Sequence, residues 1–204
     1  MAMGLKANDD TESLLARCAA GDEEAVNRLL ERHRPFLLRI VELRLDPNLR
    51  RRFDPSDVVQ ETQIEVIRRI EDYLQRRPMS FRVWLHHTTC QRLAMLWRHH
   101  RGAQRRSVAR EVVLPENSSV ALAQSLLADS PSGHLQRQEL SQKVQEAVRR
   151  LAPSDHEIVL LRNFEELTNQ ESAERLGIDE MAASQRYGRA LLRLRKHLQE
   201  QAHP

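Results

Sequence analysis

The residues best suited to chemistry in this chain are suited to reading nucleic acid. Ser184, Gln185, Arg186 and Arg189 follow at spacings that place them on one side of a helix, with Arg193 and Lys196 further along it. Arginine matches the acceptor pair on guanine and glutamine matches adenine, while cations further down such a helix suit phosphates. Upstream, Thr168 and Glu171 have the spacing of a capping box. Ala173 is small where two crossing helices must approach, Gly177 permits a sharp turn, and Leu176 and Ile178 can plug the angle between them. The pattern predicts a helix-turn-helix whose inward positions are Ala183, Ala190, Leu191 and Leu194.

Metal chemistry is a poorer fit. His86-His87 with Cys90, and His99-His100, are the side chains a metal would choose. Adjacent histidines on a helix point about 100° apart, and no HExxH or third-ligand pattern joins them. Hydrolase and deaminase motifs are absent. The expectation is therefore no catalytic residue, no metal, no cofactor and no enzyme.

The elements that position these residues should be helices throughout. Among 204 residues only 4% are aromatic, 30% are charged and six are glycine. Leu, Ala, Arg and Glu are strong helix formers, and no alternating Val/Ile/Thr run marks a strand. The fold class is all-α. The net charge is only +3, but it is segregated. Met95–Arg110 holds five arginines and no acid, Met181–Lys196 four arginines, a lysine and no acid, and acids gather at Asp54, Asp57, Glu61, Glu65, Glu71 and Asp72. Such segregation suits a protein that meets DNA on some faces and another protein on others. Cys18 and Cys90 form no CxxC, no apolar run approaches the ~20 residues of a membrane span, and the N-terminus lacks a signal-peptide core. The expectation is a cytoplasmic protein with no membrane partner.

Helical spacing begins at Glu12 after a polar start over residues 1–10, and Gly21 can end that helix. Asp22 can cap the next, whose pattern resumes after Pro35 and breaks at Asp46-Pro47-Asn48. A third helix starts near Asp54-Pro55, with Val58, Ile64, Ile67 and Ile70 expected on its buried side. Ser80 can cap a fourth, on which Phe81, Trp84, Leu85, Thr88 and Leu96 form an apolar stripe and Trp84 reads as core. Residues 103–137, rich in Ser and Pro, read as a linker between two helical domains, 12–102 and 138–200. In the second domain Ser154 and Glu157 have capping-box spacing after Pro153.

Three motifs, in order, resemble those of bacterial extracytoplasmic-function (ECF) sigma factors. Leu151-Ala152-Pro153 to Glu157, Gln170 to Ile178, and Ser184-Gln185-Arg186 with Arg189-Ala190 resemble their region four. Asp54 to Thr62 resembles the region-two helix that binds the polymerase clamp helices, and Phe81-Arg82-Val83-Trp84-Leu85 with Trp97 to Arg101 resembles the −10 recognition and melting segment. The resemblance covers most of residues 12–200 outside the linker. It implies core RNA polymerase and promoter DNA as partners, with an anti-sigma factor as a further one. It places polymerase binding on Asp57, Gln60 and Glu61, −10 binding and melting on Arg76, Arg77, Arg98 and Arg101, and −35 reading on Ser184, Gln185, Arg186, Arg189 and Arg193.

This chain departs from the family pattern at three points. Gln91 and Met95 stand where Asn and Asp are common, and Met181-Ala182-Ala183 replaces the usual Gly-Thr-Val opening of the recognition helix. The alternative reading is a helix-turn-helix regulator that binds duplex DNA alone, often as a dimer. Such a regulator has no need of the motifs at 54–62 and 81–101.

Overall fold

The computed structural model describes residues 2–100, 112–127 and 134–200. All the regular structure among them is helical. The chain divides into two compact units, residues 1–108 and 109–204.

The first unit is built on α2 (Glu23–Arg44), which packs against α1 (Ala2–Ala19), α4 (Pro55–Arg76) and α5 (Phe81–His100). Helix α1 begins well before the expected Glu12. Gly21, at φ +85°, ends the turn that follows it, and the Asp22 carboxylate accepts from Ala25 N at 3.1 Å to start α2. Helix α2 runs straight through Pro35, which sequence spacing treated as an interruption. The proline ring is exposed, while Phe36, Leu37, Ile40 and Val41 are buried just beyond it. Their burial offsets the lost hydrogen bond and ring clash, a cost of about 3 kcal/mol. The turn at 45–53 holds α3 (Pro47–Arg50), capped by Asp46 and anchored by buried Leu49.

Helix α4 starts as expected, with Asp54 accepting from Ser56 N at 2.7 Å and Pro55 in its first turn. Its buried face is different from the expected one. Val58, Val59, Thr62, Val66, Ile70 and Tyr73 are buried, whereas Ile64 and Ile67 are each 49% exposed. The stripe that repeats every three or four residues from Val58 is already filled, and both isoleucines fall off it. A buried threonine in the stripe is tolerated because Thr62 Oγ1 donates to Val58 O at 2.8 Å. Thr88 and Thr89 on α5 do the same toward Trp84 O and Leu85 O.

The second unit contains α6 (Glu116–Leu126), α7 (His134–Arg149), α8 (Pro153–Val159), α9 (Asn169–Leu176) and α10 (Glu180–Glu200). The expectation of a linker across 103–137 fails at 112–127. Helix α6 packs on α7 and touches α10, burying Ser119, Val120, Leu122 and Ala123. The Gln145 amide donates to Val112 O and accepts from Leu114 N at 2.7 Å, pinning the extended lead-in to α7. Serines obscured an amphipathic helix here, because Ser118 and Ser119 lie in its first turn. The stretches 103–111 and 128–133 of that linker lie outside the described residues.

The Ser154–Glu157 capping box does not form. Helix α8 begins two residues earlier, with Ala152 at its cap position and Pro153 in the first turn. Its far end widens into a π-turn, Leu160–Phe164, where Glu165 N donates to Leu160 O at 2.9 Å. Leu160, Leu161 and Phe164 of that turn are buried.

At the heart of the first unit, Tyr73 stacks on Trp84 with centroids 4.6 Å apart, and Phe81 meets the edge of His33 at 5.2 Å. Trp84 is a core residue, as expected. His33 is buried and shares a 3.3 Å hydrogen bond with Thr11. Burial, then the Arg82 and Arg32 charges, hold its pKa down at about 4, from an ordinary 6.5. The unfolded chain therefore takes up a proton between these values that the folded unit refuses. Stability is full above about pH 6.5 and falls as the pH drops toward 4, by roughly 3 kcal/mol for a shift of this size. Urea midpoints followed by tryptophan fluorescence should fall across that window, and His33→Leu should flatten the slope.

Candidate nucleic-acid and protein interfaces

The helix-turn-helix is assembled by reciprocal backbone capping. Glu171 N donates to Thr168 Oγ1 at 3.1 Å, and Thr168 N to Glu171 Oε2 at 2.8 Å, completing the expected capping box. Gly177 takes φ +65° and ends α9, and Ile178 N returns to Ala173 O at 3.1 Å. The Asp179 carboxylate accepts from Ala182 N at 2.7 Å at the start of α10. Asn169 Nδ2 donates to Glu180 O at 2.9 Å, so the first turns of α9 and α10 are tied together. Ala173, Ala183, Ala190, Leu194 and Leu198 are buried, while Leu191 is only half-buried.

On the opposite face of α10, Ser184, Gln185 and Arg189 are exposed and Arg186 is half-buried. Arg193 has a different role. Its guanidinium pairs with the carboxylate of Asp155 on α8, which is only 5% exposed. The expected phosphate contact is already used as a clamp between α10 and α8. Sequence reading also missed Arg162 in the π-turn. Its guanidinium lies 4.6 Å over the Tyr187 ring and donates to Asn169 Oδ1 at 2.9 Å. Arg162 thus connects the π-turn, the support helix α9 and the recognition helix α10.

In the first unit, Asp57, Gln60 and Glu61 are all exposed on α4. Glu61 is bridged by Arg92 of α5, with Arg92 Nε 3.0 Å from its Oε2. Beside them, Ile64 and Met95 line an open groove of about 300 Å³ between α4 and α5, flanked by Glu61, Glu65, Arg68 and Arg92. Ile67 is exposed on the same helix. Counting in fours from Val58, through Thr62, Val66 and Ile70, would have placed both isoleucines outside the core. Exposed apolar residues among polar ones suit a protein partner.

The arginines expected at melting DNA are partly engaged. Arg76 pairs with Asp72 at 2.9 Å, and Arg77, in the left-handed region at φ 37°, pairs with Glu12 of α1 at 2.9 Å. Tyr73 OH donates to Met79 O at 3.1 Å and steadies the loop between α4 and α5. Arg98 is exposed, and Arg101 lies outside the described residues. Among the described residues, no group of three His, Cys, Asp or Glu side chains is placed to hold a metal, and no helix is long and apolar enough to cross a membrane. His86 is fully buried, with Cys90 Sγ 3.8 Å from its Nδ1.

Two family matches decide what this arrangement belongs to. Residues 29–103 match sigma-70 region 2 and residues 141–194 match sigma-70 region 4, together well over half the chain. The chain belongs to the sigma-70 family. The protein is a sigma factor that binds core RNA polymerase and directs promoter-specific initiation. Region 2 also disfavours the regulator reading, which has no use for it. The structure of CnrH with the cytosolic domain of CnrY covers 94% of this chain and 98% of that one at 20% identity. Its TM-score of 0.57 shows a shared fold. The sigma factor RpoE with the anti-sigma factor NepR, from Bartonella quintana, covers 87% and 96% at 16% identity. At a TM-score of 0.46 that superposition is too loose to argue from. No curated protein matches the sequence significantly.

The Asp155 clamp separates two kinds of arginine on the recognition helix. Arg193→Ala should lower the melting temperature, with a loss of about 1–2 kcal/mol for a buried carboxylate stripped of a half-exposed partner. Arg189→Ala should leave the melting temperature unchanged. Thermal melts followed by circular dichroism check both.

Proposed function

We propose that this sigma factor divides its work between its two units. Residues 12–102 dock on core polymerase and open the −10 element, and residues 138–200 read the −35 element. The observation that carries the −35 reading is the outward face of α10, where Ser184, Gln185 and Arg189 stand beyond a fully capped helix-turn-helix with Arg186 beside them. An α-helix carrying such side chains fits the major groove, with its first turns nearest the bases.

Polymerase docking is assigned to Asp57, Gln60 and Glu61, extended by Ile64 and Ile67. Apolar anchors ringed by polar groups make most of the energy at protein interfaces. Arg98 and Arg101, with Arg76 and Arg77 near the loop before α5, are assigned to the melted strand, whose phosphates need cations. Phosphodiester chemistry is left to the polymerase, and the protein works in the cytoplasm. An anti-sigma factor that covers the Ile64–Ile67 face would keep the factor from polymerase.

Run-off transcription with core polymerase and a genomic promoter library tests the scheme. Promoter-dependent transcripts are expected. Failure to bind core polymerase, with dimeric binding to duplex DNA alone, would instead favour a simple regulator. Ile67→Glu should weaken core binding by roughly ten-fold or more, the loss of about 1.4 kcal/mol or more typical of an interface anchor, in a titration of labelled sigma factor with core polymerase. Arg189→Ala should leave that titration unchanged and reduce transcription from promoters that depend on their −35 element.

A further inference from the structure

Helix α10 carries one residue that its own fold does not require. Gly188 lies in the interior of the helix on an exposed side. Its backbone is not in the left-handed region, which among the described glycines is taken only by Gly21 and Gly177. A Cβ built at 188 meets nothing within 4 Å. Glycine in a helix interior lowers stability relative to alanine, through the extra freedom of the unfolded backbone and the lost side chain. Turn geometry and internal close packing, the two usual reasons for accepting that cost, are both missing here.

What surrounds the glycine is specific. Ser184 stands one turn before it and Leu192 one turn after, and both are exposed, Leu192 at 68%. Gln185 and Arg189 are its exposed neighbours on the same side. Bare backbone therefore sits within the face assigned above to the −35 duplex, between Ser184 and Gln185 around the helix. An α-helix with its side chains is about 10–12 Å across, close to the ~12 Å width of the major groove. At such a fit, one missing Cβ on that face lets the helix sit deeper by up to about the length of a carbon–carbon bond, ~1.5 Å. Base-edge hydrogen bonds are lost over smaller errors than that.

We propose that Gly188 is a positioning residue for promoter reading. Its bare backbone sets how deeply α10 enters the −35 major groove and so brings Gln185 and Arg189 within reach of the DNA. The proposal rests on the reading of α10 as the −35 helix. It assigns Gly188 no hydrogen bond of its own. Its role is to take up no space.

Stability and function are thereby set against each other, which makes the test clean. Full-length Gly188→Ala and Gly188→Leu are compared with the unaltered protein, in complex with core polymerase, on a promoter recovered by run-off selection and on the same promoter with its −35 element scrambled. Gly188→Ala is expected to raise the melting temperature and yet cut the preference for the intact −35 element by roughly ten-fold, the effect of losing one good base contact. Gly188→Leu should cut it further, and core binding should be unchanged in both. Misfolding cannot produce that result, since the alanine variant is the more stable protein. Gln185→Ala and Arg189→Ala run alongside. If they lose the preference while Gly188→Ala keeps it, the positioning role is overturned and the −35 reading stands. If they keep it, the −35 reading is overturned and the role of Gly188 with it.

Discussion

Everything in the second unit follows from a demand placed on α10, which must be core on one side and bare on the other. Ala183, Ala190, Leu194 and Leu198 are packed inside, and Ser184, Gln185 and Arg189 are left outside. A helix used in this way cannot hold its own orientation, because its outward face contributes nothing to packing until DNA arrives. The orientation comes from tethers. Asp179 caps its start, Asn169 ties that start to α9, Arg162 braces Tyr187, and Asp155 takes Arg193. The small residues Ala173 and Ala183 belong to the same solution, since only short side chains let α9 and α10 approach closely enough for Gly177 to turn between them.

The parts of this plan that were legible in the sequence are those set by local chemistry. The capping box at Thr168 and Glu171, the turn at Gly177, the Asp22 cap and the helix start at Asp54-Pro55 each depend on residues within a few positions of one another, and each forms as expected. Ser154 shows the limit. Its spacing to Glu157 was right, but Pro153 is itself a favourable first-turn residue and moved the helix start back by two. The buried face of α4 was misjudged because Ile64 and Ile67 were counted as core for being apolar. Thr62, which does lie in the core, is polar and was passed over. Arg193 and Arg162 were not separable from the other arginines, since what distinguishes them is a partner 38 positions away in one case and an aromatic ring across the unit in the other.

The helix at 116–126 carries a related lesson about linkers. Composition marked the segment as polar, yet four residues on one side of α6 are buried against the rest of the unit. Eleven residues are too few to form a stable helix alone in water. Packing on α7 and the two hydrogen bonds from the Gln145 side chain stabilise it instead. The second unit therefore begins well before the first residue that matches region 4, and a fragment cut at residue 138 would expose the apolar surface that α6 covers.

Ion pairs within the protein do not all bear on function in the same way, and their burial decides which matter. Arg76 with Asp72 and Arg77 with Glu12 are surface pairs whose members are each about half exposed or more. Such pairs contribute about 0–1 kcal/mol, and salt screens them further. A phosphate that releases counterions on binding competes easily with an attraction of that size. The acids therefore hold Arg76 and Arg77 only weakly. Asp155 differs because its carboxylate is out of water, and removing Arg193 would leave that charge buried without compensation. Arg193 therefore serves the fold. On one helix, then, Arg193 is committed to holding α10 against α8, whereas Arg189, one turn earlier, stands exposed.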